Sequence, residues 1–234
     1  MQGILLINKP KDKSSFYFVS CFRKILGEKK IGHAGTLDPF ATGVLVLLVG
    51  KKYTRMSNQF LCNEKHYEAQ AMFGVKTDTF DLEGQEIAKS SFIPSFEEVQ
   101  NCLKKFQGEI TQIPPMFSAK KIGGKKLYEL ARKGLDVERK PCKVKVEIEL
   151  VSYNYPLLTF KVIASKGTYI RSLADDIGSK LGCFAHLVNL KRTYSTPFSI
   201  EQCLDFEKFK AHNFDIALLH ESEDGFIKFN ACLI

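Results

Sequence analysis

Six consecutive apolar residues, Val44 to Val49, stand between Gly43 and Gly50. A run without polar alternation reads as a buried strand, so whatever this chain folds into must close a core around it. The residues before it, from Lys30 to Gly43, read Lys-Ile-Gly-His-Ala-Gly-Thr-Leu-Asp-Pro-Phe-Ala-Thr-Gly. Gly32, Gly35 and Gly43 permit backbone angles or close approaches that a side chain forbids, and Pro39 fixes φ directly after Asp38. A carboxylate is thereby held on a stiff turn and anchored to the core.

With 234 residues the chain can bury a substantial core, as one large domain or two small ones. A single domain over residues 1–234 is expected. No repeat, low-complexity block or long linker divides it, and the 34 residues after Ile200 are too few for a comfortable independent unit. That tail is expected to wrap back on the core through Leu204, Phe206, Phe209 and its apolar end. No apolar run approaches a membrane span, and the N-terminus lacks a charged segment followed by an apolar one, which points to a soluble, cytoplasmic protein. Thirty-four Lys and Arg against 26 Asp and Glu give a net charge of +8 and a pI near 9.0. This favours a polyanionic partner, nucleic acid first, although many cytosolic proteins are simply basic. The seven cysteines, Cys21 to Cys232, form no Cys-x-x-Cys, and the five histidines form no His-x-x-x-His. Reduced thiols and no metal are expected.

Gly3 to Asn8 reads as an opening strand closed by Lys9-Pro10. Ser14 or Ser15 can cap a helix that places Phe18, Val19, Phe22, Ile25 and Leu26 on one face and ends at Gly27. Tyr53 to Leu61 suits a short helix carrying Arg55. From Lys65 to Val75 the period becomes two, with Tyr67, Ala69, Ala71, Phe73 and Val75 inward. Thr77 to Gly84 is an acidic loop, either a cation site or a solvated hairpin turn; without EF-hand spacing the turn is the preferred reading. Ser95 and Glu98 form a capping box for a helix running to Phe106. Pro114-Pro115 interrupts regular structure. Lys120, Lys121, Lys125, Lys126 and Arg132 then interleave with Phe117 and Tyr128, as a solvated face or a surface meeting phosphates would. Val144 to Leu150 alternates as a strand with Leu157 to Ala164 as its neighbour. A helix is expected from the 165–171 stretch through Ile177, and a last strand over Leu187 to Leu190.

Several chemistries are excluded by spacing. Gly50-Lys51 is followed by Lys52 and lacks the earlier glycine of a P-loop, no Gly-x-Gly-x-x-Gly opens a helix, and Gly-x-Ser-x-Gly is absent. On residue types alone, Asp38 before Pro39 could be a turn former and His33 a structural histidine.

The order of motifs is more specific. Gly32-His33-Ala34-Gly35-Thr36-Leu37-Asp38-Pro39, followed by Ala41-Thr42-Gly43-Val44-Leu45, closely resembles the signature of the TruB family of tRNA pseudouridine synthases. Leu6 to Pro10, Gln112 to Lys120 with Leu127-Tyr128, and Ser165-Lys166-Gly167-Thr168-Tyr169-Ile170-Arg171 agree in the same order, so the resemblance spans roughly residues 3 to 198. It implies the pseudouridine synthase fold, an α/β architecture of the α+β type with a mixed, mostly antiparallel central sheet flanked by helices. It implies isomerisation of the uridine at position 55, in the T arm of tRNA, without metal or organic cofactor, since the substrate carries both leaving and entering groups.

The resemblance also assigns residues. Asp38 would initiate cleavage of the N-glycosidic bond, by a route that sequence leaves open among attack on the sugar, addition to the base and removal of a sugar proton. An acid facing a flipped base would be pushed toward its neutral form by burial, and Arg171 resembles the family's cationic partner that counters this. Tyr67 resembles the tyrosine that stacks on the target base; Tyr169 and Leu190 resemble residues lining the uridine site. His33 resembles the residue that braces the RNA once the base has left its stack. Lys9, Arg55 and Lys120 are expected phosphate contacts. The implied partner is tRNA alone, bound by a monomer. No guide RNA is expected, although the guide-dependent relative dyskerin shares the aspartate motif. Two departures stand out: Phe117 replaces a usual tyrosine, and the tail is too short for the PUA domain that many relatives carry.

Overall fold

The structure, a computed structural model, describes residues 1–61 and 64–229. It opens with β1 (Gly3–Lys9), one residue longer than expected because Lys9 still pairs with Gly43 before Pro10 ends the ladder. Helix α1 (Ser15–Leu26) begins where the Ser14 hydroxyl accepts from the Tyr17 N–H and stops at left-handed Gly27, burying Phe18, Val19 and Phe22. Strands β2 (Ile31–His33) and β3 (Thr42–Val49) follow, and β3 is buried from Gly43 onward, as its unbroken apolar run requires. The single helix expected over 53–61 is two short ones, α2 (Lys51–Thr54) and α3 (Ser57–Leu61), with Arg55 closing the first.

Strand β4 (Lys65–Phe73) alternates strictly, with Lys65, Tyr67, Ala69, Ala71 and Phe73 buried. The inward row was expected to reach Val75. Gly74, at φ 97°, breaks it, and Val75 opens a separate hairpin of β5 (Val75–Thr77) and β6 (Glu86–Lys89). Helix α4 (Phe96–Lys104) has both halves of the Ser95–Glu98 capping box. It ends short of Phe106 because the Lys105 and Phe106 N–H groups turn to carbonyls three residues back. Then come β7 (Gly108–Gln112), a small hairpin of β8 (Lys121–Ile122) and β9 (Lys125–Lys126), and α5 (Leu127–Ala131). The basic segment is thus folded rather than extended. Strands β10 (Cys142–Asn154) and β11 (Leu157–Ala164) form a long antiparallel pair leading to α6 (Ile170–Leu181). Strand β12 (Ala185–Ser195) runs well past the expected Leu190. The tail adds β13 (Phe198–Ser199), β14 (Leu204–Asp205), α7 (Phe206–Ala211), β15 (Leu219–Glu221) and β16 (Phe226–Phe229).

These elements form two compact units, Met1–Tyr67 with the segment from Lys191 onward, and Glu68–Leu190, the boundaries falling inside β4 and β12. In the first unit β1 lies antiparallel to β3 along its whole length, from Gly3 opposite Val49 to Lys9 opposite Gly43. Strands β14 and β16 are both parallel to β1, and β2 is antiparallel to β3. The tail returns to the N-terminus as expected: Leu204 pairs with Ile7, and Phe206 and Phe209 pack on Phe18 and Phe22 of α1 at ring distances of 4.8 and 6.0 Å. Its apolar end lies outside the described residues. In the second unit β7, β10 and β11 are antiparallel, and α4 packs against α6 and β10. The sheet is mixed and mostly antiparallel, in agreement with expectation. The five described cysteines are free thiols, and no described helix is long and apolar enough to cross a membrane.

Helix α6 carries charge on its packed side. The Lys76 ammonium lies 2.8 and 2.9 Å from the two oxygens of Asp175, while burial, and after it the neighbouring Asp175, raises the Asp176 carboxyl to about 6. Between its unfolded value near 4 and this folded value, Asp176 holds a proton that unfolding releases. The group therefore favours the fold below about pH 4, and that contribution is lost as pH rises through about 6. Asp176→Asn is expected to raise the melting temperature at pH 7.5 by roughly a few degrees and to give no gain at pH 4. Thermal scans at both pH values check this, and an equal shift at both would contradict it.

Candidate active site

Asp38 stands half-buried between residues that are fully packed: Leu37, Phe40 and Ala41 are all buried. Its carbonyl accepts from the Ala41 N–H at 3.1 Å, closing a turn with Pro39 in the second position, where a fixed φ belongs. Lys9 was expected to meet phosphate. Instead it is completely buried, and its ammonium donates to the carbonyls of Lys13, Pro10 and Pro39 at 2.7, 2.9 and 3.0 Å. An ammonium has three donors, so Lys9 ties the turn after Asp38 to the end of β1 and does not reach for RNA. The Pro39 carbonyl also accepts from the Asp12 N–H at 2.9 Å.

Arg192 holds the rest of the loop. It is 1% exposed, with Nε donating to the Val44 carbonyl at 2.7 Å and Nη2 to the Gly35 carbonyl at 3.0 Å. Its backbone pairs in parallel with Gly43, so tightly that a β-carbon on Gly43 would sit 2.1 Å from the Arg192 carbonyl oxygen. With φ at 101°, Gly43 is required both for space and for conformation.

Three further expected residues belong to the same unit. His33 ends β2 half-buried, and burial, followed by the cationic Arg192, lowers its pKa, so the ring is neutral at neutral pH. Its Nδ1 is buried and has no hydrogen-bond partner among the described residues. Tyr67 is 9% exposed on the inward face of β4. Arg55 is exposed.

The second unit holds Arg171, Tyr169, Leu190 and Lys120. Arg171, in the first turn of α6, is buried; Nη1 donates to the Thr79 carbonyl at 2.9 Å and lies 3.3 Å from Asp81 Oδ2, while Nη2 donates to the Phe117 carbonyl at 2.7 Å. The Phe117 contact uses the main chain, so it does not depend on the tyrosine hydroxyl missing at this position. Asp81 corrects the solvated-turn reading of residues 77–84: the hairpin is present, but Asp81 is 3% exposed and organises it, accepting from the Thr79 hydroxyl and the Glu83 N–H. Tyr169 caps α6, and the Gln112 side chain grips its backbone twice, at 2.8 and 3.0 Å. Leu190 is buried. Lys120 is half-buried with its ammonium 3.0 Å from Cys142 Sγ.

Sequence inspection missed Asp81, Arg192 and Gln112 as organisers. A signal existed for Arg192, because it shares inward phase with Leu190 once β12 is allowed to continue. For Asp81 the clue was weaker, an acid in a loop with no stated partner. No group of three or more His, Cys, Asp or Glu among the described residues could hold a metal.

Comparison with known proteins gives these residues a family context. Residues 23–170 match the TruB family pseudouridylate synthase N-terminal domain, and residues 171–222 the tRNA pseudouridylate synthase B C-terminal domain. The chain is 60% identical to a tRNA pseudouridine synthase B of Protochlamydia amoebophila, over 88% of this chain and 78% of the relative. It is 52% identical to the protein of the same name from Chlamydia pneumoniae, over 92% of each. Among solved structures it resembles a chain of a Cbf5-Nop10-Gar1 complex, with TM-score 0.70 and 30% identity over 95% of this chain, and spans 56% of that chain.

The contrast between Lys9 and Arg55 is measurable. Lys9→Met removes three charge-assisted hydrogen bonds made by a fully buried side chain and is expected to cost about 3 kcal/mol or more of stability. Arg55→Ala, on the surface, should stay within about 0.5 kcal/mol of the parent. Urea unfolding of both variants checks this; similar midpoints for the two would remove Lys9 as a clamp.

Proposed function

We propose that this chain, which belongs to the TruB family of pseudouridylate synthases, isomerises uridine to pseudouridine at position 55 in the T arm of tRNA. In this reading Asp38 starts the cleavage of the N-glycosidic bond. The supporting observation is a half-buried Asp38 in a loop pinned by Lys9 and Arg192. A reacting group held in one orientation needs no reorganisation when substrate arrives.

The reaction breaks the bond from the uracil N1 to the sugar C1′ and makes one from C5 to C1′. The C5 hydrogen is lost and N1 gains a proton, so atoms balance within the substrate and no cofactor is called for. Arg171 is the permanent cation assigned to keep Asp38 ionised. Tyr67 stacks on the flipped base, and Tyr169 and Leu190 line its site. His33 braces the RNA; a neutral ring can stack there without stripping water from a charge. Arg55 and Lys120 are assigned to the phosphates, with the exposed lysines Lys121 and Lys125 beside them in sequence. Lys9 is withdrawn from that role. The protein is taken to act as a cytoplasmic monomer on free tRNA, without a guide RNA.

Purified protein incubated with unmodified tRNA, followed by pseudouridine mapping, tests the assignment. The wild type should modify the T-arm uridine with no other RNA or protein added, and Asp38→Asn should lose at least about a thousandfold in rate while still binding tRNA. Product at another position would overturn the site, and undiminished product from Asp38→Asn would overturn the chemistry. Arg171→Ala should lose turnover far more than tRNA affinity when both are measured below its melting temperature; equal losses would make Arg171 a binding residue only.

A further inference from the structure

Two serines stand at the start of α1, and only one of them is needed to cap it. The Ser14 hydroxyl does that work, accepting from the Tyr17 N–H at 3.2 Å. Ser15, in the first turn, has no helix group to serve, yet it is 2% exposed, and a buried hydroxyl needs partners. It finds both on one residue: Oγ donates to the Leu37 carbonyl at 2.9 Å and accepts from the Leu37 N–H at 2.9 Å. Leu37 immediately precedes Asp38.

That location has a geometric consequence. The direction of the Asp38 side chain depends on the two peptide planes that flank its α-carbon. The plane after Asp38 is fixed through its carbonyl, which accepts from the Ala41 N–H, and the following Pro39 carbonyl is held by Lys9. The plane before Asp38 contains the Leu37 carbonyl, which accepts from the Ser15 hydroxyl. We propose that Ser15 is a positioning residue for the isomerisation, fixing the peptide on the N-terminal side of Asp38 and thereby the aim of the carboxylate at the substrate. The helix that carries Ser15 is itself braced, since Phe18 and Phe22 pack on Phe206 and Phe209 of the tail. The position of Ser15 is therefore set by the core, and it transmits that position to the loop.

The inference rests on Asp38 being the reacting acid, so its test must separate the two claims. Single-turnover pseudouridine formation is measured at saturating tRNA, well below the melting temperature of every variant, alongside tRNA binding by filter retention. Ser15→Ala is expected to slow the chemical step ten- to a hundredfold, the range that small misplacements of a reacting group produce, and to leave tRNA affinity within about twofold. Ser15→Thr, which keeps the hydroxyl, should recover most of the rate. Val99→Ala, which hollows the α4 packing in the other unit, controls for lost stability and should turn over at the parental rate. Ser15→Ala within threefold of wild type, while Asp38→Asn is inactive, would overturn the Ser15 role and leave the aspartate reading standing. An equal slowing by Val99→Ala would also overturn it, by making the effect one of general stability. Full activity in Asp38→Asn would instead sink the aspartate reading itself, whatever Ser15 does.

Discussion

The contact between the backbones of Gly43 and Arg192 is the constraint from which the first unit is built. Two strands approach there with no room for a β-carbon, and the same Arg192 sends its guanidinium back to the Gly35 and Val44 carbonyls. Residues 35 to 44 are thereby gripped at both ends by one side chain. Lys9 and Ser15 take hold of the middle. Burying a guanidinium and an ammonium is costly, and it is tolerable here because carbonyl oxygens accept the hydrogen bonds of each charge. The loop is irregular in backbone, yet it is supported as a helix or strand would be, by hydrogen bonds whose donors come from side chains.

The second unit solves a related problem with paired charges. Arg171 and Asp175 lie one turn apart on the same face of α6. Each reaches the hairpin that begins at Val75, Arg171 to Asp81 and Asp175 to Lys76, with opposite polarity. The alternation sets register, because sliding the hairpin to exchange partners would bring like charges together. The Thr79 and Phe117 carbonyls also accept from the guanidinium, so Arg171 is buried, hydrogen-bonded and fixed in orientation.

Much of this was legible in the sequence where local rules dominate. The apolar run of β3, the alternation of β4, the capping box of α4 and the glycine stop of α1 are all readable over a few residues, and each was realised. The motif containing Asp38 identified the family. What could not be read was the identity of long-range partners. Lys9 looked like any basic residue beside a proline, and only the return of the Pro39 carbonyl, thirty residues on, makes it a clamp. Asp81 looked like a turn acid because its partner lies 90 positions away, and β12 was cut short at Leu190 because an arginine on an inward face reads as the end of a strand. In each case a charged residue was read without the distant partners that the fold brings to it, backbone carbonyls for Lys9 and Arg192 and a guanidinium, a hydroxyl and an N–H for Asp81.

The surroundings of Lys9 carry a consequence for sequence variation. Three carbonyls converge on one point at 2.7 to 3.0 Å, and a compact tetrahedral ammonium can meet all three. A guanidinium is flat, wider and directs its donors in a plane. An exchange to arginine at this position keeps the charge and loses the fit, so it is non-conservative here. The converse holds at Arg192, where two carbonyls lie on separate segments and only a forked side chain spans them. Arginine and lysine are therefore distinct letters at these two sites, although neither is assigned a contact with the nucleic acid that this chain's positive charge would attract.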